Sequence, residues 1–201
     1  MKILIGMPMY KIMDVNCVIS LVDFVSSLHT DGHELKVSFC SGFNAARARK
    51  LLIEDAVKRE WEYDYMLWLD SDHFYKTKDL YALVDSMKEH NLPMLSASYK
   101  LRGYDETAHG GMRDGKFVHF KDDELPDHPF DCTVIGFGFL VMTRQFIKEM
   151  WDVFGEKLFI LDAKSSMTED VQFCNCVLER GYRVCFHPKV KVGHVESAIR
   201  F

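Results

Sequence analysis

The chain contains, at residues 65–73, the sequence Tyr65-Met66-Leu67-Trp68-Leu69-Asp70-Ser71-Asp72-His73. Its first five residues are all apolar or aromatic, which predicts a strand buried on both faces of a sheet. The run ends in two carboxylates, and alternate side chains of an extended chain point the same way. Asp70 and Asp72 therefore face one side, where two hard oxygen ligands suit a divalent cation. An exposed turn is the competing interpretation of the same residues.

Composition predicts a single globular domain with a substantial core. The chain has 201 residues, of which 48% are hydrophobic and 27% are charged. A net charge of −5 gives no general attraction to nucleic acid or to an anionic membrane. We expect no membrane span, because no apolar run approaches the length that one requires. The N-terminal apolar run is too short for a signal peptide. We therefore expect a soluble, cytoplasmic protein whose six cysteines are reduced thiols.

Strand and helix patterns alternate along the first hundred residues. Apolar runs predict strands at 2–7, 34–40, 65–69 and 94–99. Helical spacing predicts three helices between them: one at 15–29, one that Asn44 caps and that continues to Lys58, and one that Thr77 caps. Three strand–helix–strand crossovers in a row predict a parallel sheet with right-handed connections. Ligands bind such sheets outside the carboxyl ends of the strands, which is where Asp70 and Asp72 would lie.

The second half has a different pattern. Residues 101–130 are polar and rich in glycine and proline, with a short strand near 116–121, so this irregular segment is either functional or mobile. The remaining patterns predict strands at 132–142, 182–186 and 189–192, helices at 144–153 and 169–180, and a brief apolar piece at 158–161. No linker or repeat separates the halves, which favours one domain over residues 1–201.

Two further short stretches carry polar groups that could serve a site. Thr168-Glu169-Asp170 opens a predicted helix, where a threonine cap and carboxylates in the first turn are also explained by helix stability alone. Gly193-His194 directly follows the last predicted strand. A lone histidine in such a place is more often structural or exposed than a ligand.

Taken together, these stretches resemble the GT-A glycosyltransferases, especially the metal-dependent, family-2-like enzymes that use nucleotide-sugars. The order and spacing of loose motifs along nearly the whole chain carry the resemblance: Pro8-Met9-Tyr10, Ala46-Arg47-Ala48-Arg49, Asp70-Ser71-Asp72, Gly136-Phe137-Gly138-Phe139, Thr168-Glu169-Asp170 and Gly193-His194. There are departures as well. Lys50 stands where an asparagine is common, and Cys40-Ser41 where many relatives place an acidic residue that reads the base.

The resemblance implies a GT-A (nucleotide-diphospho-sugar transferase) fold, which is α/β with a mostly parallel central sheet flanked by helices. Residues 1–100 would form the nucleotide-sugar-binding half and residues 101–201 the acceptor-binding half. The Asp-x-Asp motif would hold Mn²⁺ or Mg²⁺ on the diphosphate, with Asp70, Asp72 and the late His194 as metal ligands. A shell of mixed oxygen and nitrogen ligands favours Mn²⁺ over Mg²⁺.

The same resemblance assigns roles to the remaining candidates. Pro8, Met9 and Tyr10 would line the base pocket, although packing explains them equally well. The other donor contacts would come from Arg47, Arg49, Asp70, Ser71 and Asp72. Lys100 and Arg102, at the end of the fourth strand, are weaker candidates for donor or acceptor contacts. Arg47 and Arg49 are also consistent with a solvated helix face. Asp170 would be the general base and Glu169 would orient the acceptor or cap the helix.

The expected activity is transfer of a sugar from a nucleoside-diphosphate sugar to a glycan or other hydroxyl acceptor, as in hexosyltransferases. We expect inversion at the anomeric carbon, and a uridine-based donor more than a guanosine-based one on family frequency alone. Two other classes use similar residues: a metal-dependent nucleotidyltransferase and a non-catalytic sugar-nucleotide-binding module. The first would favour a basic, glycine-rich phosphate loop, which Gly6-Met7-Pro8-Met9 is not.

Overall fold

The computed structural model describes residues 1–9, 13–101, 103–121, 125–160 and 167–195. Over these residues the chain has a mixed α/β architecture. The strands are β1 (Lys2–Met9), β2 (Glu34–Ser41), β3 (Tyr65–Leu69), β4 (His73–Phe74), β5 (Met94–Ser98), β6 (Glu106–Arg113), β7 (Lys116–Lys121), β8 (Phe130–Asp131), β9 (Phe139–Thr143), β10 (Cys185–Lys191) and β11 (Gly193–His194). The helices are α1 (Val15–Thr30), α2 (Ala45–Lys58), α3 (Thr77–Glu89), α4 (Arg144–Phe154) and α5 (Glu169–Glu179), with a 3-10 helix at Gly155–Phe159.

The central sheet of the described residues has seven strands in the order β2-β1-β3-β9-β5-β10-β8. Strands β2, β1 and β3 are parallel to one another, and β5 is parallel to β10. The prediction of a mostly parallel sheet flanked by helices is confirmed. The four strands predicted in the first hundred residues run in the same direction, but β9 from the second half lies antiparallel between β3 and β5. Periodicity identifies a strand, but it does not identify the strand's neighbours.

Strand β3 is buried on both faces, as its apolar run predicts. Met66 and Trp68 belong to a core cluster with side chains of α2, α4 and α5, whereas Leu67 and Leu69 belong to a second cluster with side chains of α1 and α3. All four of these β3 side chains are fully buried. The helices therefore form two layers, one on each face of the sheet, and they hold the carboxyl end of β3 in a fixed position.

The helices of the structure begin and end close to their predicted bounds. Asn44 caps α2 as predicted, because its side chain accepts a hydrogen bond of 2.9 Å from the backbone N–H of Arg47. At α3 the predicted cap is wrong by one residue. Lys76 is the N-cap and makes no side-chain capping bond, so Thr77 is already helical.

Strand predictions were less accurate in the second half. The predicted strand at 132–142 begins only at Phe139, and the two predicted strands at 182–186 and 189–192 form one strand, β10, with a register shift between His187 and Lys191. Residues 101–130 contain the hairpin β6–β7 instead of one short strand. Its turn is Asp114-Gly115, whose φ angles of 52° and 73° are those of the favoured two-residue hairpin turn.

Among the helices in the described part of the chain, none combines the length and the apolar content needed to cross a lipid bilayer.

Candidate functional site

A polar pocket opens at the carboxyl ends of β1 and β3, beside the N-terminus of α2. Its cavity volume is about 200 Å³. The end of β1, the first turns of α2 and the Asp-x-Asp motif all contribute to its lining, which consists of Pro8, Met9, Phe43, Ala45, Ala48, Arg49, Asp70, Ser71 and Asp72. This is the edge of the sheet at which ligands bind open α/β folds.

Asp72 lies between two histidines, the adjacent His73 and the distant His194. The Nδ1 atom of His73 is 2.8 Å from Asp72 Oδ1, and the Nε2 atom of His194 is 3.3 Å from Asp72 Oδ2. Backbone pairing brings them together, because β11 pairs antiparallel with β4 and places His194 opposite His73. The backbone N–H of Val195 also donates to the carbonyl oxygen of Asp72 at 2.7 Å.

The charge state of this cluster follows from its hydrogen bonds. Burial acts to raise the pKa of Asp72, but the adjacent His194 and His73 outweigh it and hold that pKa well below its usual range. Asp72 is therefore an ionised carboxylate at neutral pH. One ligand atom each from Asp72, His73 and His194 lies within 4.8 Å of the others, so these side chains are close enough to share a metal ion.

The geometry of His194 fits a bound cation. Its Nδ1 atom is 3.0 Å from the carbonyl oxygen of Lys100, and because a carbonyl only accepts, Nδ1 carries the proton. The Nε2 atom of His194 can then act towards the ionised oxygen of Asp72 in two ways: it donates a hydrogen bond when the ring carries a second proton, and it can share a cation with that oxygen when the ring is neutral. Two ligand atoms about 2.1 Å from an octahedral ion lie about 3 Å apart, which matches the observed separation of 3.3 Å.

Asp70 is engaged by a different partner. The Nη2 atom of Arg49 lies 3.1 Å from Asp70 Oδ1 and 3.4 Å from Oδ2. The Nε atom of Arg49 is 3.2 Å from Glu169 Oε1, and its guanidinium lies over the ring of Phe137 at 4.4 Å. Burial acts to lower the pKa of Arg49, but Asp70 and Glu169 outweigh it and raise that pKa further. One buried cation thus joins the end of β3 to the start of α5.

Some of the predicted site residues line the pocket, and others make contacts elsewhere. Pro8, Met9, Arg49 and the Asp-x-Asp motif border one pocket. Arg47 is exposed, with its guanidinium 4.4 Å from the ring of Phe43, and the ammonium of Lys100 pairs with Asp105 at 3.2 Å.

The remaining predicted site residues are Asp170, Tyr10 and Arg102. Asp170 bonds locally: its Oδ1 atom accepts from the N–H of Val171 at 2.9 Å and from the hydroxyl of Thr168. Tyr10 and Arg102 lie outside the described residues.

Sequence reasoning missed His73 and the ion pair between Arg49 and Glu169. The sequence pattern assigns no role to His73, although a histidine next to a suspected metal ligand is itself a signal. The ion pair gave no signal, because Arg49 and Glu169 are far apart in the chain and only the packing of α5 against the sheet joins them.

No protein-family model and no curated protein matches the sequence. Solved structures do match. The crystal structure of GalNAc-T7 with UDP, GalNAc and Mn²⁺ aligns with a TM-score of 0.62 and 11% identity, over 96% of this chain and 42% of that one. The fold is GT-A-like. A197 from STIV aligns with a TM-score of 0.53 and 15% identity, over 98% of this chain and 83% of that one.

These likenesses fix the fold alone, because identity is low in both. The chain spans less than half the length of GalNAc-T7, a GT-A glycosyltransferase. Activity, donor and metal must therefore be argued from the residues of the site.

Proposed function

We propose that the protein is a metal-dependent glycosyltransferase that moves a sugar from a nucleoside-diphosphate sugar to a hydroxyl acceptor. The observation that carries the proposal is the pairing of Asp72 with His194 at 3.3 Å beside a polar pocket, on a GT-A-like fold. A nucleotidyltransferase and a binding module are the alternatives, and the products formed from the donor distinguish the three classes.

The proposed ligands are Asp72, His194 and Asp70. A carboxylate has about four lone-pair sites, so Asp70 can hold Arg49 and still contribute one oxygen. When bound, Mn²⁺ or Mg²⁺ neutralises the diphosphate that leaves as the glycosidic bond breaks. A ligand set that combines an imidazole nitrogen with carboxylate oxygens favours Mn²⁺.

The donor would occupy the pocket at the end of β1. Pro8 and Met9 offer an apolar wall for the base, and Ser71 offers a hydroxyl near the diphosphate. Arg49 would act on the donor mainly by fixing Asp70, because its side chain is only 7% exposed. We retain a uridine-based donor as part of the proposal, with residues 1–100 as the donor half and 101–201 as the acceptor half.

Release of the nucleotide tests the reaction class. The protein would be incubated with UDP-sugars and GDP-sugars, with and without Mn²⁺, and the products would be separated by chromatography. We expect metal-dependent release of free sugar and nucleoside diphosphate. Release of nucleoside monophosphate together with sugar 1-phosphate would indicate phosphorus chemistry, and binding without turnover would indicate a binding module. Either result contradicts the proposal.

We propose inversion with Asp170 as the general base, acting on the acceptor hydroxyl. General bases contribute about 10²–10⁴-fold to rate, so Asp170→Asn should lower transfer by several hundredfold while metal-dependent donor binding is unchanged. Glu169→Gln is the matched comparison. Because Glu169 pairs with Arg49 at 3.2 Å, that change should mainly weaken donor binding and stability. Normal transfer by Asp170→Asn, or a product that keeps the donor's anomeric configuration by NMR, would show this mechanism to be wrong.

A further inference from the structure

The groups that contact His73 fix the orientation of its ring. Its side chain is buried, and its backbone pairs with that of His194. The ring of Tyr99 meets it edge-on at 4.5 Å between centroids, and the ring of His194 stacks on it at 4.4 Å with an interplanar angle of 12°. A Cβ atom on Gly138 would come within 2.6 Å of His73 Nε2, so the glycine leaves room for the ring.

The position of the proton on His73 follows from its contacts. Nδ1 is 2.8 Å from the carboxylate of Asp72, which accepts a hydrogen bond. Nε2 is buried and has no hydrogen-bond partner among the described residues. The proton that the ring carries therefore lies on Nδ1, directed at Asp72 Oδ1, and the opposite side of the ring is closed by Gly138.

The stacking of the two imidazoles argues against both of them binding one metal ion. An imidazole nitrogen binds a metal along its lone pair, which lies in the plane of the ring. Two rings that are nearly parallel, with centroids 4.4 Å apart, direct these lone pairs along separate planes. An ion held well by His194 Nε2 is therefore poorly placed for His73 Nδ1.

We infer that His73 is a positioning residue of the proposed metal site: it holds Asp72 Oδ1 so that Oδ2 faces the cation with His194. This inference rests on the metal binding in the proposed function. The arrangement gives each histidine one task. His194, fixed by the carbonyl of Lys100, is the nitrogen ligand, and His73, fixed by its packing, orients the oxygen ligand. Partners of this kind affect metal affinity about 10–100-fold.

Two substitutions at His73 separate a hydrogen-bond role from a packing role. His73→Asn places an amide N–H close to where Nδ1 stands, whereas His73→Leu fills a similar space with no donor. Mn²⁺ affinity would be measured by EPR titration of the free ion. We expect His73→Leu to weaken Mn²⁺ binding about 10–100-fold and His73→Asn to weaken it less than about fivefold. His128→Leu, at an exposed histidine, is the control and should bind as the wild type does.

Circular dichroism would establish that each variant is folded. Equal losses in the leucine and asparagine variants, or no loss in the leucine variant, would overturn the inference. A measurement on the wild type tests the inference even if the variants do not fold. Electron spin-echo modulation of bound Mn²⁺ should report one coordinated imidazole. Two coordinated imidazoles would show that His73 is a ligand and would overturn the inference. Failure of the wild type to bind Mn²⁺ would also overturn the inference about His73. Mn²⁺ binding without sugar transfer would overturn the proposed function alone.

Discussion

Arg49→Met should destabilise the protein strongly, because it removes a buried cation from between two carboxylates. The Arg49 side chain is 7% exposed, and those of Asp70 and Glu169 are 25% and 15% exposed. Unit charges about 3 Å apart interact by about 5 kcal/mol at an effective dielectric constant of about 20. While all three charged side chains are present, the cost of removing them from water offsets much of this attraction. Removing one partner leaves the others unpaired, so we expect the free energy of unfolding to fall by about 3–5 kcal/mol.

Arg47→Met is the matched control for this substitution. Arg47 lies on the same helix, but it is exposed and contacts the face of Phe43. An exposed contact of this type contributes about 0.5–1 kcal/mol. Urea denaturation followed by circular dichroism gives both values, with the slope of the transition as a check on two-state unfolding.

A double-mutant cycle tests the pairing directly. If Arg49 acts through Glu169, the loss in Arg49→Met combined with Glu169→Gln should be smaller than the sum of the two single losses. The expected coupling is about 0.5–3 kcal/mol. A loss in Arg49→Met of less than about 1 kcal/mol, or additive single losses, would refute this electrostatic reasoning.

Two further predictions concern parts of the fold outside this ion pair. Asn44→Ala should lower the free energy of unfolding by about 1 kcal/mol, because the N–H of Arg47 loses its acceptor. Urea denaturation measures this change, and an unchanged midpoint would show that the Asn44 cap does not stabilise α2. In the native protein we expect Ellman's reagent to label Cys40 fastest, because the other cysteines are buried and burial raises the pKa of Cys174 to about 12. Rapid labelling of several thiols before urea is added would show that this burial is wrong.

Local sequence patterns predicted the parts of the fold that local forces decide. The run from Met66 to Leu69 specified a strand buried on both faces, and Asn44 specified where α2 begins. These signals work because burial, capping and periodicity act over a few residues. The Asp114-Gly115 turn is a local signal of the same kind, since Asp-Gly between two strand-like segments indicates a hairpin.

Long-range partners were harder to predict. The position of β9 between β3 and β5 depends on how strands far apart in the chain pair, which periodicity does not encode. The proximity of His194 to Asp72 was expected only through the family resemblance. The link from Arg49 to Glu169 and the role of His73 came from packing around the site, where several weak local signals act together.

Binding of UDP with and without Mn²⁺ tests the central proposal most directly. Isothermal titration would compare the wild type, His194→Gln and the control His128→Gln, each in Mn²⁺ and in EDTA. We predict that Mn²⁺ tightens UDP binding at least about tenfold in the wild type and the control, and that His194→Gln removes this gain, since lost metal ligands or their partners cost affinity on that scale. Equal UDP binding in Mn²⁺ and in EDTA, or an unchanged metal effect in His194→Gln, would contradict a metal-dependent donor site at Asp72 and His194.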